Sequence, residues 1–375
     1  MSVSIVFGTR PEAIKMAPLI PAFREAGIDV RVISTGQHRE MLQPIISWFG
    51  LAIDVDLDLM KADQSLAELS ARALVALDRT FAQERPALVM VQGDTTTAMA
   101  AALAAFYQRI PVGHVEAGLR TYNPYSPWPE EVNRNLISKL ASYHFAPTAS
   151  NQTNLLREQI RPESIFVTGN TVIDALLYSS RKIDATPVVP AGLESFFVGP
   201  LRQRRLVVIT GHRRENLGEG FISICRAITR LAAHFPDDYF VYPVHLNPGV
   251  RQIVMPMLSN QSNILLIDPL GYAEFVSLMK RSYLILSDSG GVQEEAPSLG
   301  KPVLVMRENT ERPEGVAAGS VKLVGTNEIM IFEAVSALLS SATNYKKMAE
   351  TSNPYGNGRA AETIVKSVSA IFATK

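Results

Sequence analysis

The chain is 375 residues long, more than one ordinary hydrophobic core accommodates, so two domains are expected. Its 36 basic and 36 acidic residues cancel, which argues against an electrostatic nucleic-acid footprint while leaving room for a local anion pocket. The single cysteine excludes an intrachain disulfide framework and a cysteine-based zinc site, and no apolar run approaches the ~18 residues of a membrane span. That cysteine, Cys225, falls in a helix expected over 220–234, whose apolar face is its usual home. The N-terminus reads as a strand entering a glycine turn rather than a signal peptide, so a soluble cytoplasmic protein is expected.

In chain order, a strand is expected over 3–7, then Gly8-Thr9-Arg10-Pro11-Glu12 and a helix over 13–25. Proline suits a first helical turn. Arg10 and Lys15 suit it less, because a helix N-terminus is the positive end of the peptide dipole. Cations placed there point to a nearby anion, the alternative being two surface charges. The turn matches neither the GxxxxGK[ST] phosphate loop nor the GxGxxG fingerprint. A strand over 30–34 leads into Thr35-Gly36-Gln37-His38-Arg39-Glu40 and a helix ending near Gly50. Residues 51–61 are irregular and acidic. A long amphipathic helix over 66–84 follows, with Leu66, Leu69, Ala73, Val75, Leu77 and Phe81 as its apolar positions.

Ala87-Leu88-Val89-Met90-Val91 is apolar throughout, as buried parallel strands are, and ends in Gln92-Gly93-Asp94-Thr95. A strand over 112–115 ends in Glu116-Ala117-Gly118. Arg10, Asp94 and Glu116 therefore all stand just past strand C-termini, the edge where open parallel sheets bind ligands. Asp94 by itself reads as an N-cap; three polar residues on one edge favour function. The proline- and aromatic-rich loop 121–129 delivers Glu130, Glu131 and Arg134 to the next helix and is of a kind that closes over a sugar. With strands over 144–146 and 165–168, strands and helices alternate as in a doubly wound parallel sheet.

Residues 181–205 carry three prolines and little periodicity, and read as a linker with one short helix. Alternation resumes at 206–209. Two α/β domains are expected, 1–180 and 206–355, with a cleft between them and a last helix in 356–375 packing back toward the first. Past the strand at 206–209 stands Gly211-His212-Arg213-Arg214, a histidine beside two arginines placed for a phosphate, although lone histidines are more often structural. His245 reads as structural or peripheral. Strand 263–267 ends at Asp268-Pro269-Leu270-Gly271-Tyr272, a turn able to hold a base through its backbone. The apolar run 282–286 then enters Ser287-Asp288-Ser289-Gly290-Gly291-Val292-Gln293-Glu294-Glu295-Ala296-Pro297. Glycines without Cβ admit close backbone approach, and a helix beginning there presents free N–H groups, which suits a diphosphate. A carboxylate in its first turn suits ribose hydroxyls; a plain strand-to-helix turn capped by serine is the alternative. Loop 307–315 again carries cations past a strand end, and the remainder from 326 is mostly helical.

Phe7-Gly8-Thr9-Arg10-Pro11-Glu12-Ala13-Ile14-Lys15, Gly93-Asp94-Thr95-Thr96-Thr97, Gly113-His114-Val115-Glu116-Ala117-Gly118-Leu119-Arg120, Ser126-Pro127-Trp128-Pro129-Glu130-Glu131, Gly211-His212-Arg213-Arg214-Glu215, Asp288 to Pro297 and Thr310-Glu311-Arg312-Pro313-Glu314 together resemble the signatures of the non-hydrolysing UDP-N-acetylglucosamine 2-epimerases, in order over nearly the whole chain. The resemblance implies a GT-B-like fold of two Rossmann-type domains, a cytoplasmic homodimer, and neither metal nor nicotinamide. It implies reversible conversion of UDP-GlcNAc to UDP-ManNAc, supplying surface polysaccharide such as enterobacterial common antigen or capsule. Residue by residue, Arg10, Lys15 and Arg134 would bind substrate, and His212 with Ser289-Gly290-Gly291 would hold the diphosphate. Glu295 would take the ribose, Leu270 and Phe275 would lie by the uracil, and Arg312 would complete the pocket. Asp94, Glu116 and Glu130 would be the acid/base carboxylates, with His212 also catalytic.

Leu270 stands where some members have glutamine; a backbone contact to the base survives that change. Gln37, Arg213 and His245 match a second, activating UDP-GlcNAc site found in several bacterial members. Glu40 and Asp63, however, replace neutral or basic residues, and two added carboxylates would repel a diphosphate sugar. Substrate activation is therefore expected to be weakened or rebuilt. The alternatives are a hydrolysing epimerase, a GT-B glycosyltransferase with the same UDP grip, and a regulatory nucleotide-sugar-binding module.

Overall fold

The computed structural model of the chain describes residues 2–37, 39–61 and 64–373, with the backbone alone at 39 and 40. The chain divides into two compact units, Met1–Ala175 with Tyr355–Lys375, and Leu176–Pro354.

The first unit is built on strands β1 (Ser2–Phe7), β2 (Asp29–Ser34), β3 (Val55–Asp56), β4 (Leu88–Gln92), β5 (Val112–Val115), β6 (Tyr143–Ala146) and β7 (Ile165–Val167). They form one parallel sheet in the order β3-β2-β1-β4-β5-β6-β7, a doubly wound arrangement whose order reverses between β1 and β4. β4 is buried along its whole length, as its unbroken apolar run requires with helices on both faces. On helix Leu66–Glu84 the buried stripe is Leu69, Ala73, Leu77 and Phe81, at i,i+4 spacing. Val75 is exposed because it lies on the opposite face, and Leu66 because, though in line with the stripe, it is the first residue of the helix. The alanines of helix Thr96–Tyr107 let it pack closely on Leu66–Glu84.

The helix expected over 13–25 is two helices, Arg10–Met16 and Leu19–Glu25. Pro18 has no N–H to continue the first one. The start lies three residues early because Thr9 and Glu12 form a reciprocal capping box. At the other end of the unit, Asp174 accepts from Ala360 N and Ala361 N, at 3.2 and 2.9 Å, capping helix Ala360–Ala373. That helix packs on Leu19–Glu25.

The second unit carries β8 (Leu206–Thr210), β9 (Tyr239–Pro243), β10 (Ile264–Ile267), β11 (Leu284–Ser287), β12 (Val303–Val305) and β13 (Val321–Leu323). The sheet is again parallel, in the order β10-β9-β8-β11-β12-β13. β13 gives no signal in sequence, being three residues long with an exposed Lys322. Helix Glu219–His234 buries Phe221, Ile224, Ile228 and Leu231 against this sheet. Cys225 lies in the same core, and burial pushes its thiol up to about 12, so it is inert. Residues 181–205 are held down within this unit: Arg281 donates to Phe196 O at 2.9 Å, and the Phe196 ring meets Tyr239 edge-on. Among the described residues no helix is long and apolar enough to cross a membrane.

Candidate functional site

In the first unit the chemistry gathers at the C-terminal ends of β1, β4 and β5. Glu12, 1% exposed, organises the turns there. One oxygen accepts from Gly8 N, Thr9 N and Thr9 Oγ1 at 3.0, 2.7 and 2.8 Å; the other accepts from Thr95 Oγ1 at 2.6 Å. Burial raises its pKa against those bonds. The turn carrying Arg10 is thus tied to the turn carrying Asp94. Gly8 has no room for a side chain, since a Cβ would lie 2.1 Å from Thr35 Oγ1.

Glu116 follows β5 in the left-handed region, at φ +64°. Lys15 Nζ donates to both of its oxygens, at 2.6 and 2.7 Å. Gln92 Nε2 donates to one oxygen, and Asn170 Nδ2 to the other at 3.1 Å. Two candidate residues far apart in sequence therefore form one ion pair.

Asp94 lies beside it. Arg134 Nε donates to Asp94 Oδ2 at 3.0 Å, while Arg134 Nη1 reaches Glu131 at 3.0 Å. Asn133 Nδ2 donates to Asp94 O at 2.9 Å. Burial raises the Asp94 pKa, Arg134 opposes that, and the Glu116 charge adds to it. Beneath this edge, His114 Nε2 lies 2.7 Å from Gly93 O; complete burial lowers its pKa to about 3, so the ring is neutral.

The two adjacent glutamates of helix Glu130–Leu140 have different places. Glu131 is the buried one and accepts from Thr121 N and Tyr122 N at 3.1 and 3.0 Å, fixing the aromatic loop. Glu130 is half-buried, and its side chain, like that of Arg10, has no hydrogen-bond or ion-pair partner among the described residues. Ser126–Pro127 and Trp128–Pro129 are cis.

In the second unit Asp288, at 0% exposure, plays the part Glu12 plays in the first. Its Oδ2 accepts from His212 N and Arg213 N at 2.9 and 2.8 Å, and its Oδ1 lies 3.3 Å from His212 Nδ1. The His212 ring stacks on His245, with centroids 5.4 Å apart. Burial lowers the His212 pKa and Asp288 opposes this. Gly290 and Gly291 open helix Gly290–Glu295, with Ser289 as N-cap. The Arg312 guanidinium covers Gly290 so closely that a Cβ there would lie 2.8 Å from its Cζ. Arg312 Nε donates to Glu294 at 2.9 Å and Nη1 to Glu311 at 2.8 Å. Glu294 is buried under that arginine, whereas Glu295 is half-buried, its Oε2 3.6 Å from where a Cβ on Gly291 would lie. Leu270 and Phe275 are half-buried on either side of the N-terminus of helix Tyr272–Arg281.

Of the residues matched to an activating site, Gln37 accepts from Thr97 Oγ1 at 2.9 Å. Arg213 and His245 both flank His212. The Glu40 side chain and Asp63 lie outside the described residues. Among the described residues no group of three or more His, Cys, Asp or Glu side chains is arranged to hold a metal ion.

Sequence reasoning missed Glu12, Gln92, Glu131, Asn170 and Asp288 as builders of the site. Their signal is position: each lies within a few residues of the C-terminal end of a strand or at the start of the following helix.

Residues 22–369 match the family model for UDP-N-acetylglucosamine 2-epimerase. A UDP-N-acetylglucosamine 2-epimerase of Yersinia pestis is 52% identical, the match spanning 98% of this chain and 98% of that one. The crystal structure of a UDP-GlcNAc 2-epimerase from Neisseria meningitidis bound to UDP-GlcNAc matches at 51% identity with a TM-score of 0.90, over 99% of this chain and 100% of that one. A Methanocaldococcus jannaschii UDP-GlcNAc 2-epimerase in complex with UDP-GlcNAc and UDP matches at 35% identity with a TM-score of 0.80, over 99% and 100%.

Proposed function

Because the chain belongs to the UDP-N-acetylglucosamine 2-epimerase family, we propose that it interconverts UDP-GlcNAc and UDP-ManNAc without net hydrolysis. The sugar C2–H is not acidic, since no carbonyl is next to C2. The C1–O bond therefore breaks first, and UDP leaves as an anion. Positive charge building at C1 makes the C2 proton removable by a carboxylate, giving a 2-acetamidoglucal. Return of a proton to the opposite face and re-addition of UDP at C1 give the epimer. Two faces call for two proton-handling groups.

In this reading Asp94, Glu116 and Glu130 handle protons, and Arg10, Lys15 and Arg134 contact substrate or orient those carboxylates. His212, Ser289, Gly290, Gly291 and Arg312 hold the leaving diphosphate and stabilise its charge, while Glu295 takes the ribose and Leu270 and Phe275 the base. The enzyme is an isomerase and works as a cytoplasmic homodimer that supplies ManNAc units for surface polysaccharide. Substrate activation, which the family match ties to Gln37, Arg213 and His245, is weakened or rebuilt here because Glu40 and Asp63 add negative charge; full dependence of the reverse reaction on trace UDP-GlcNAc would refute that.

The observation that carries the reading is the pairing of Lys15 with Glu116 beside Asp94. A transferase grip on UDP has no need of a carboxylate set on that sheet edge. The test is UDP-GlcNAc in D₂O followed by NMR. Deuterium at C2 of both epimers with little free sugar is expected. Free ManNAc with UDP would indicate a hydrolysing enzyme, and inertness without an acceptor would indicate a transferase.

A further inference from the structure

Lys15 alone does not hold Glu116. A lysine is a point charge on a flexible stem and leaves a carboxylate free to swing. Gln92, at the end of β4, and Asn170, past the end of β7, reach the same carboxylate from separate strands. Both are 3% exposed. A carboxylate only accepts, so each amide must present its NH₂ group. Asn170 is committed in its remaining groups: its N donates to Tyr355 O at 2.8 Å, and its Oδ1 accepts from Val172 N at 3.0 Å. Its amide cannot turn over without losing the Val172 bond.

We propose that Gln92 and Asn170 are positioning residues for Glu116, fixing its carboxylate against Lys15 so that it remains ionised and correctly oriented. The proposal rests on the reading of Glu116 as a proton-handling group. The charged and titratable groups facing Glu116 include Lys15, Asp94 and His114, with Arg134 behind Asp94. Lys15 favours its ionised form and the Asp94 charge opposes it. The two amides stabilise the anion without adding charge, and they fix its direction, which neither ion can do.

The variants Gln92→Met and Asn170→Ser remove one donor each; Asn170→Asp keeps the acceptor for Val172 N but turns a second carboxylate toward Glu116. In an active enzyme kcat for epimerisation falls about tenfold or more, while KM and UDP affinity change less than about twofold. The second measurement needs no turnover: titration of the Glu116 carboxyl carbon by ¹³C NMR, assigned with Glu116→Gln. Its midpoint rises by about one unit in Gln92→Met and Asn170→Ser and further in Asn170→Asp. An unmoved midpoint in folded variants overturns the proposal, even if the protein is an epimerase. An inactive wild type whose midpoint shifts as stated overturns the epimerase reading and leaves the positioning in place.

Discussion

Thr95 Oγ1 donates to Glu12 Oε1 across 2.6 Å, joining the turn after β1 to the turn after β4. Glu12 is therefore a structural bond between two candidate site loops rather than a surface acid of a first helical turn. Its replacement by alanine leaves Gly8 N, Thr9 N and two hydroxyls without their acceptor in a buried place. We expect Glu12→Ala to cost on the order of 3 kcal/mol and Glu12→Gln about half as much, because the amide keeps one acceptor. Urea unfolding at pH 7 measures both. Since Arg10 and Asp94 share this anchor, epimerase activity should fall more steeply than stability in Glu12→Gln.

His114 makes stability depend on acid. Its pKa is lowered from the ordinary 6.5 to about 3 by burial, so the unfolded chain binds a proton that the folded one refuses. The contribution is fully present above the unfolded value and is lost as pH falls from about 6.5 toward about 3. Between pH 7 and pH 5 this residue alone should cost about 2 kcal/mol. His144, shifted in the same direction by burial, adds to the loss. Urea midpoints at both pH values for wild type and His114→Gln check this: the variant should show the smaller drop. An equal drop in both proteins would remove His114 from the account.

Much of this arrangement is legible in sequence. Buried parallel strands announce themselves as apolar runs, and β4 with its Gln92-Gly93-Asp94 ending marks the sheet edge where the candidate residues gather. What is not legible is the choice between neighbours. Glu130 and Glu131, or Glu294 and Glu295, occupy the same helical turn in the sequence. Only the direction of the helix in the unit decides which is buried beneath an arginine. Val75 passes for core by residue type but lies off the i,i+4 stripe. Gln92 and Asn170 are uncharged, so nothing local marks them as partners of a carboxylate 24 and 54 positions away.

Arg134 serves two carboxylates, Asp94 and Glu131, with 5% of its side chain exposed. Removing it leaves Glu131, itself 2% exposed, with backbone donors but no counter-charge. Arg134→Met should destabilise by about 3–5 kcal/mol, the cost of breaking a buried pair from one side. Arg134→Lys keeps the charge but cannot fork to both partners, so it should fall between wild type and Arg134→Met. Chemical denaturation resolves the three proteins, and equal stability of the lysine and methionine variants would show that charge, rather than geometry, is immaterial at this position.

Two glycines separate packing from function. At Gly118, φ is +91° and a Cβ would lie 2.3 Å from Asn151 O, a backbone atom that cannot move aside. Gly118→Ala should cost several kcal/mol in stability, since the backbone is strained and the loop after β5 must shift. At Gly290 the atoms in the way are the guanidinium of Arg312, the far end of a flexible side chain, and no left-handed φ is required. Gly290→Ala should fold with a loss of no more than about 3 kcal/mol, the cost of pulling Arg312 off the buried Glu294. Arg312 then leaves the turn proposed to hold the diphosphate, and the added methyl blocks close approach to that backbone. UDP affinity, measured by calorimetry, should fall at least about tenfold, the loss of one charge-assisted contact. Wild-type UDP affinity in a folded Gly290→Ala protein would place the diphosphate elsewhere.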